Sequence, residues 1–136
     1  MMQTLTTNEL ALRVEEDIVR VRQLARTAAT EAGLSLVDQT KLVTAASELA
    51  RNTVVYGGGG TARLNVVQSA GRCGVRIEFE DHGPGITDIE LALKDGYTTG
   101  NGLGLGLSGA KRLCSEFELR SEPGKGTTVV ITRWKG

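Results

Sequence analysis

The stretch SELARNTVVYGGGG, residues 47–60, carries an amphipathic helical pattern into four consecutive glycines. Glu48 and Asn52 stand four residues apart in it, so on a helix they project from one face, about 6 Å apart along the axis. Two readings are open. The pair is a solvated helix edge, or it is a base and a metal ligand that serve one bound group.

Working outward, Val37, Leu42, Val43, Ala46, Leu49 and Ala50 keep helical spacing, Ser35 is placed to cap, and the helix is expected to end at Tyr56. Upstream, Ile18, Val21, Leu24, Ala25, Ala28 and Ala32 mark a helix over 15–32, with Gly33 as its stop. LALRV, 10–14, alternates as a short strand. Downstream, TARLNVVQS (61–69) and GVRIEFED (74–81) read as antiparallel strands joined by AGRCG. DHGPG follows as a turn, then a short helix over 86–93, a glycine- and threonine-rich loop over 94–103, and a helix over 105–116. EFELRSE (116–122) and TTVVITRW (127–134) close the chain around PGKG. The order β-α-α-β-β-α-α-β-β predicts an α+β sandwich with its helices on one sheet face.

The 136 residues fit a single domain, 1–136, of ordinary globular composition. Sixteen basic residues balance sixteen acidic ones, so no overall field recruits nucleic acid or anionic lipid. No apolar run approaches membrane-spanning length and no leader-like run opens the chain, so a cytoplasmic setting is expected. Cys73 and Cys114 lack metal-ligand spacing and are expected as reduced thiols. The outlier is glycine, eighteen against two prolines, clustered at 57–60, 83–85 and 96–109. Such clusters mark close backbone approach or left-handed dihedrals, and approach to a ligand is the expected reason.

Two further segments carry chemistry. In DHGPG, 81–85, an aspartate leaves a strand ahead of two glycines. It either bonds local turn amides or accepts an exocyclic amine, with Gly83 and Gly85 admitting a flat ring. In GLGLGLSGAKRL, 102–113, glycines alternate with leucines until a helix begins. That is either a structural loop with packed leucines or an anion site at the helix's positive end, with phosphate the usual guest. No parallel β-α-β unit surrounds it, as a dinucleotide fingerprint would need, and the G-K-[ST] of a P-loop is absent. His82, the sole histidine, reads as a spacer in the turn rather than a metal ligand.

Taken in order, the helix with Glu48 and Asn52, the D-x-G-x-G turn, the glycine-rich loop opening a helix, and GKGTT (124–128) resemble the Bergerat-fold, or GHKL, ATPases. The resemblance covers about 36–131. It implies a two-layer sandwich with a mixed, mainly antiparallel sheet. Within the superfamily, DIVRVRQLAR, VDQTKLVTAASELARN, DHGPGITDI, DGYTTGNGLGLGLSGAKRL and EFEL are similar to the small serine/threonine switch kinases of the stressosome, with the anti-sigma-factor kinases as sister group.

The resemblance implies ATP and Mg²⁺ as cofactors. Asp81 would take the adenine amino group, Gly83 and Gly85 would clear the ring, and Thr127 would hold it through water. Asn52 would ligate Mg²⁺, and Gly102, Leu103, Gly104, Leu105, Gly106 and Leu107 would cradle the phosphates. Glu48 would be the general base. The implied partners are STAS-domain antagonist proteins as substrates and a PP2C-type phosphatase activated by binding; in the sister group the partner is a sigma factor. One departure stands out. The loop 95–107 holds no lysine or arginine for the γ-phosphate, so Lys94, Arg51 or a partner residue must supply that charge, or turnover is slow.

Overall fold

Helix-stop and helix-start signals operate here as their chemistry requires. The computed structural model describes residues 2–86, 89, 93 and 106–136. Helix α1, Glu15–Glu31, ends in a Schellman turn. Gly33 takes φ +78°, Gly33 N–H donates to Thr30 O, and Leu34 N–H donates to Ala29 O, both at 3.0 Å. Helix α2, Leu36–Val55, starts on Ser35, whose hydroxyl accepts Asp38 N–H at 3.1 Å. Val14 cannot cap α1 with its side chain. Asp17 does the work from inside the first turn, its Oδ2 accepting Arg13 N–H at 2.9 Å and Val14 N–H at 3.1 Å.

The five strands are β1 (Gln3–Leu12), β2 (Gly60–Ser69), β3 (Arg72–Asp81), β4 (Glu116–Glu122) and β5 (Gly126–Trp134), with helix α3 (Gly106–Arg112) before β4. They form one sheet in the order β1-β2-β3-β5-β4, and all four pairings are antiparallel. Period-two alternation turns Ala62, Leu64, Val66, Val75, Ile77, Phe79, Val129 and Ile131 toward the helices. There they bury with Val21, Leu42, Ala46 and Leu49 in one core. Leu49, Leu64, Ile77 and Phe79 are at most 2% exposed, each contributing about 1.5–3 kcal/mol of burial.

Three boundaries differ from the sequence reading. The first strand is ten residues long rather than five. Its Gln3–Glu9 portion carries no alternating apolar face and is held by ladder bonds to β2 instead. The β2–β3 turn is two residues, not the five of AGRCG. Ala70 and Gly71 adopt φ +52° and +78°, the double left-handed pair of a type I′ hairpin, so Arg72 and Cys73 join the strand. Helix α3 stops at Arg112 rather than at 116, because Ser115 N–H is taken by Thr132 O at 2.8 Å, a sheet bond a longer helix could not make. The expected helix over 86–93 and loop over 94–103 lie largely outside the described residues. Within them, Leu93 N–H donates to Ile89 O at 3.0 Å. Among the described residues no helix is long and apolar enough to cross a membrane.

Candidate functional site

The site is assembled where β3 ends, β5 begins and α2 runs out. Asp81 is the last residue of β3, directly opposite Thr127 on β5, which in turn faces Ser121 on β4. Residues directly opposite one another share a sheet face. Asp81 has the parity of the buried Phe79, so all three side chains stand on the helix side of the sheet.

The Asp81 carboxylate is fixed by backbone. Its Oδ1 accepts Gly83 N–H at 2.9 Å and Thr127 N–H at 3.2 Å. The first bond is the local turn use of an aspartate; the second ties the turn to β5. With Oδ1 committed, Oδ2 is the oxygen left for an incoming donor. Ser121 completes the cluster. Its Oγ accepts Ile86 N–H at 2.8 Å, lies 3.0 Å from Gly126 O and 2.8 Å from Thr127 Oγ1. The sequence reading missed Ser121, since nothing in EFELRSE marks it until β4 and β5 are paired.

Glycine here serves protein–protein backbone approach. A Cβ on Gly57 would stand 2.5 Å from Asp81 Cγ and Oδ2, and one on Gly83 would stand 2.6 Å from Gly57 O. Gly85, at φ +76°, packs on the Glu122 carbonyl, and Gly126 packs on that of Asp81. The expectation that glycines at 57–60 and 83–85 open space for a ligand thus meets a finding of its own. Gly57, Gly83, Gly85 and Gly126 let the end of α2, the 81–85 turn and the β4–β5 hairpin touch, while Gly58 faces open space.

Helix α2 carries Glu48 and Asn52, both half-buried, beside its buried stripe of Leu42, Ala46, Leu49 and Thr53. Glu48 and Asn52 lie about 6 Å apart along the axis, and Gly57, two residues past the helix's last residue, lies against Asp81. The same helix packs against α3. Asn52 offers an amide oxygen and Glu48 a carboxylate. The amide oxygen is a hard donor of the kind Mg²⁺ accepts beside phosphate oxygens and water, and the carboxylate one turn away could take a proton. Arg51 is half-buried on α2. Gly106, at φ +70°, opens α3 and Leu107 packs against the core. Gly102, Leu103, Gly104, Leu105 and Lys94 lie outside the described residues. His82 sits exposed in the turn. Cys73 and Cys114 are free, and burial pushes the Cys114 thiol up to about 12.

A helix ending against a D-x-G-x-G turn, with the aspartate anchored across the strand that carries GKGTT, has counterparts. Residues 37–135 match the family described as histidine kinase-, DNA gyrase B- and HSP90-like ATPase. The chain belongs to this ATPase family. It is 46% identical over 123 residues to the serine/threonine-protein kinase RsbT of Bacillus subtilis (strain 168), covering 90% of this chain and 92% of that one. It is 33% identical over 99 residues to the anti-sigma F factor of Thermoanaerobacter sp. (strain X514), covering 68% of each. Among solved structures, the RsbU and RsbW domains of a Mycobacterium tuberculosis protein superpose with a TM-score of 0.66 at 23% identity. That match covers 95% of this chain, which spans about a third (32%) of that structure's chain. The Pseudomonas aeruginosa SiaB–SiaC complex gives 0.57 at 14% identity, covering 96% of this chain and 90% of the matched one. Both structural likenesses concern the fold.

Proposed function

We propose that this ATPase-family chain is an ATP-dependent serine/threonine-protein kinase of a bacterial partner-switching pathway. Its substrates would be serine or threonine hydroxyls of STAS-domain antagonist proteins, and it would then activate a PP2C-type phosphatase by binding. The observation that carries this reading is the 46% identity across nine-tenths of the chain with a protein named as such a kinase.

The roles are those the family resemblance implies, and the chemistry of the residues supports them. Asp81 would accept the adenine amine on Oδ2, held for it by the turn that Gly83 and Gly85 let pack on Gly57 and Glu122, and Thr127 would reach the base through water. The segment 102–107 would supply amides to the phosphates. Asn52 would hold Mg²⁺, which when bound offsets the charge of the phosphates. Glu48 takes the proton of the substrate hydroxyl as that oxygen bonds to the γ-phosphorus. The bond from that phosphorus to the β,γ-bridging oxygen breaks, and its electron pair leaves on ADP. A second reading draws on the anti-sigma F factor relatives: a kinase or nucleotide-dependent interaction module whose main product is a complex with a sigma factor.

One substitution separates the readings. Glu48→Ala should leave ATP affinity near wild type and lower single-turnover phosphotransfer to an antagonist by about 10²–10⁴, the range of a general base. Complex formation with that antagonist should persist. Phosphotransfer at the wild-type rate with ATP bound would make Glu48 a helix-edge carboxylate. A wild-type chain that transfers nothing to any antagonist yet binds partners only with nucleotide would establish the interaction-module reading.

A further inference from the structure

Ser121 makes more contacts than a strand serine needs. A hydroxyl has one proton and two lone pairs. Of its three neighbours, Ile86 N–H can only donate and Gly126 O can only accept. Ser121 therefore accepts from Ile86 and gives its proton to Gly126 O. That leaves one lone pair for Thr127 Oγ1, 2.8 Å away, and Thr127 must be the donor of that bond. No other assignment satisfies all three contacts. The Thr127 proton is turned toward β4, and toward Asp81 and the turn Thr127 presents only lone pairs.

We infer that Ser121 is a specificity-determining positioning residue for the nucleotide base, holding Thr127 as an acceptor so that Asp81 and Thr127 form an acceptor-only edge. This rests on the reading of Asp81 as the partner of the base. An acceptor-only edge suits an exocyclic amine, which brings two N–H donors, and disfavours a keto oxygen, which brings none. A Thr127 hydroxyl free to rotate could donate to that keto oxygen and blunt the distinction. Ser121 also holds the far end of the turn through Ile86 N–H, so the edge and the turn that frames it share one anchor.

ATP and inosine triphosphate carry the same triphosphate and differ on this edge, amine against keto oxygen at C6 and bare N1 against N1–H. Calorimetric affinities of the intact chain for both should give a ratio favouring ATP. In Ser121→Ala that ratio should fall about 3- to 10-fold, the scale of one net hydrogen bond, and Ser121→Thr should restore it. In a Thr127→Val background, Ser121→Ala should leave the ratio unmoved, since the effect runs through the Thr127 hydroxyl. Equal weakening of both nucleotides, or an equal fall in the Thr127→Val background, would overturn the inference and leave Ser121 a fold-supporting residue. Where Ser121→Ala does not fold, Ser121→Cys keeps the volume with a poor donor and is read on the same ratio. A wild-type chain with no preference for ATP overturns the adenine reading itself, and that is settled before any substitution is made.

Discussion

Replacing Gly57 by alanine tests whether the nucleotide end of the site is held together by backbone contact. Gly57 does not occupy the left-handed region, so alanine meets no strain in its own dihedrals. The obstacle is one group. The new Cβ would lie 2.5 Å from both Cγ and Oδ2 of Asp81, where carbon contacts normally settle at about 3.5–4.0 Å. The whole Asp81 side chain, whose Cβ would stand 2.7 Å away, must retreat by about 1 Å. Its bonds to Gly83 N–H and Thr127 N–H, at 2.9 and 3.2 Å, have little room before they pass hydrogen-bond range. A hydrogen bond to a charged group contributes about 1.5–3 kcal/mol, and the half-buried carboxylate regains water on moving, so the two together amount to about 2–3 kcal/mol. For a chain of this size that is about 6–15 °C in Tm. ATP affinity should fall with it. The decisive assay is a double-mutant cycle by thermal unfolding. In an Asp81→Gly background the clashing side chain, Cβ included, is gone, and Gly57→Ala should cost less than about 0.5 kcal/mol. An undiminished cost there would refute the argument, because the penalty would then lie in the α2 terminus and not in the carboxylate.

Other perturbations have outcomes of known direction. Asn52→Ala should weaken binding of Mg²⁺ with ATP in calorimetry while the thermal transition stays near wild type; unchanged affinity would remove the metal role. Asp38 is held below its ordinary carboxyl value chiefly by the Arg133 side chain, 2.6 Å away, so its contribution is full above its unfolded value of 3.8 and is lost as pH falls below it. Asp38→Asn should therefore lose about 1.5–3 kcal/mol at pH 7 and flatten the decline of stability below pH 4; an unaltered acid profile would contradict the pairing. The Cys114 thiol, pushed up to about 12 by burial, should resist alkylation at pH 8 in the native chain and react once unfolded. Mass spectrometry of the labelled peptides would show it.

Periodicity made much of the fold legible. The spacing of Ile18, Val21, Ala25 and Ala28, and of Leu42, Ala46 and Leu49, defines α1 and α2, and each of these residues is buried. Ser35 and Gly33 act at the ends as expected. What periodicity could not show is backbone-driven structure. The portion Gln3–Glu9 is exposed on both faces, and only its ladder to β2 makes it a strand. Leu113 and Cys114 prolong the helical pattern of 105–116, but sheet bonds from Ser115 claim the chain first: its N–H donates to Thr132 O, and its hydroxyl accepts Trp134 N–H at 3.1 Å.

The site was legible in the same uneven way, and the antiparallel topology explains why. Where neighbouring strands run in opposite directions, the end of β3, the start of β5 and the end of β4 fall at one edge of the sheet, and the chain must turn repeatedly there. Turns crowded together need glycine where one backbone lies on another. Gly57, Gly60, Gly83, Gly85 and Gly126 therefore stand at the site for a reason that requires no ligand. The same crowding supplies free amides, and two of them fix Asp81. A D-x-G-x-G motif marks this aspartate in sequence, because its glycines are neighbours along the chain. Ser121 and Gly57 have no such mark, since they become neighbours of Asp81 and Thr127 only through strand pairing and the packing of α2. On the proposed function, α2 then orders the remaining chemistry by its own pitch. Asn52 and Glu48 stand one turn apart on one face of α2, and Gly57, just past the helix end, lies against Asp81. The metal and the substrate hydroxyl would therefore address one phosphate from the same side.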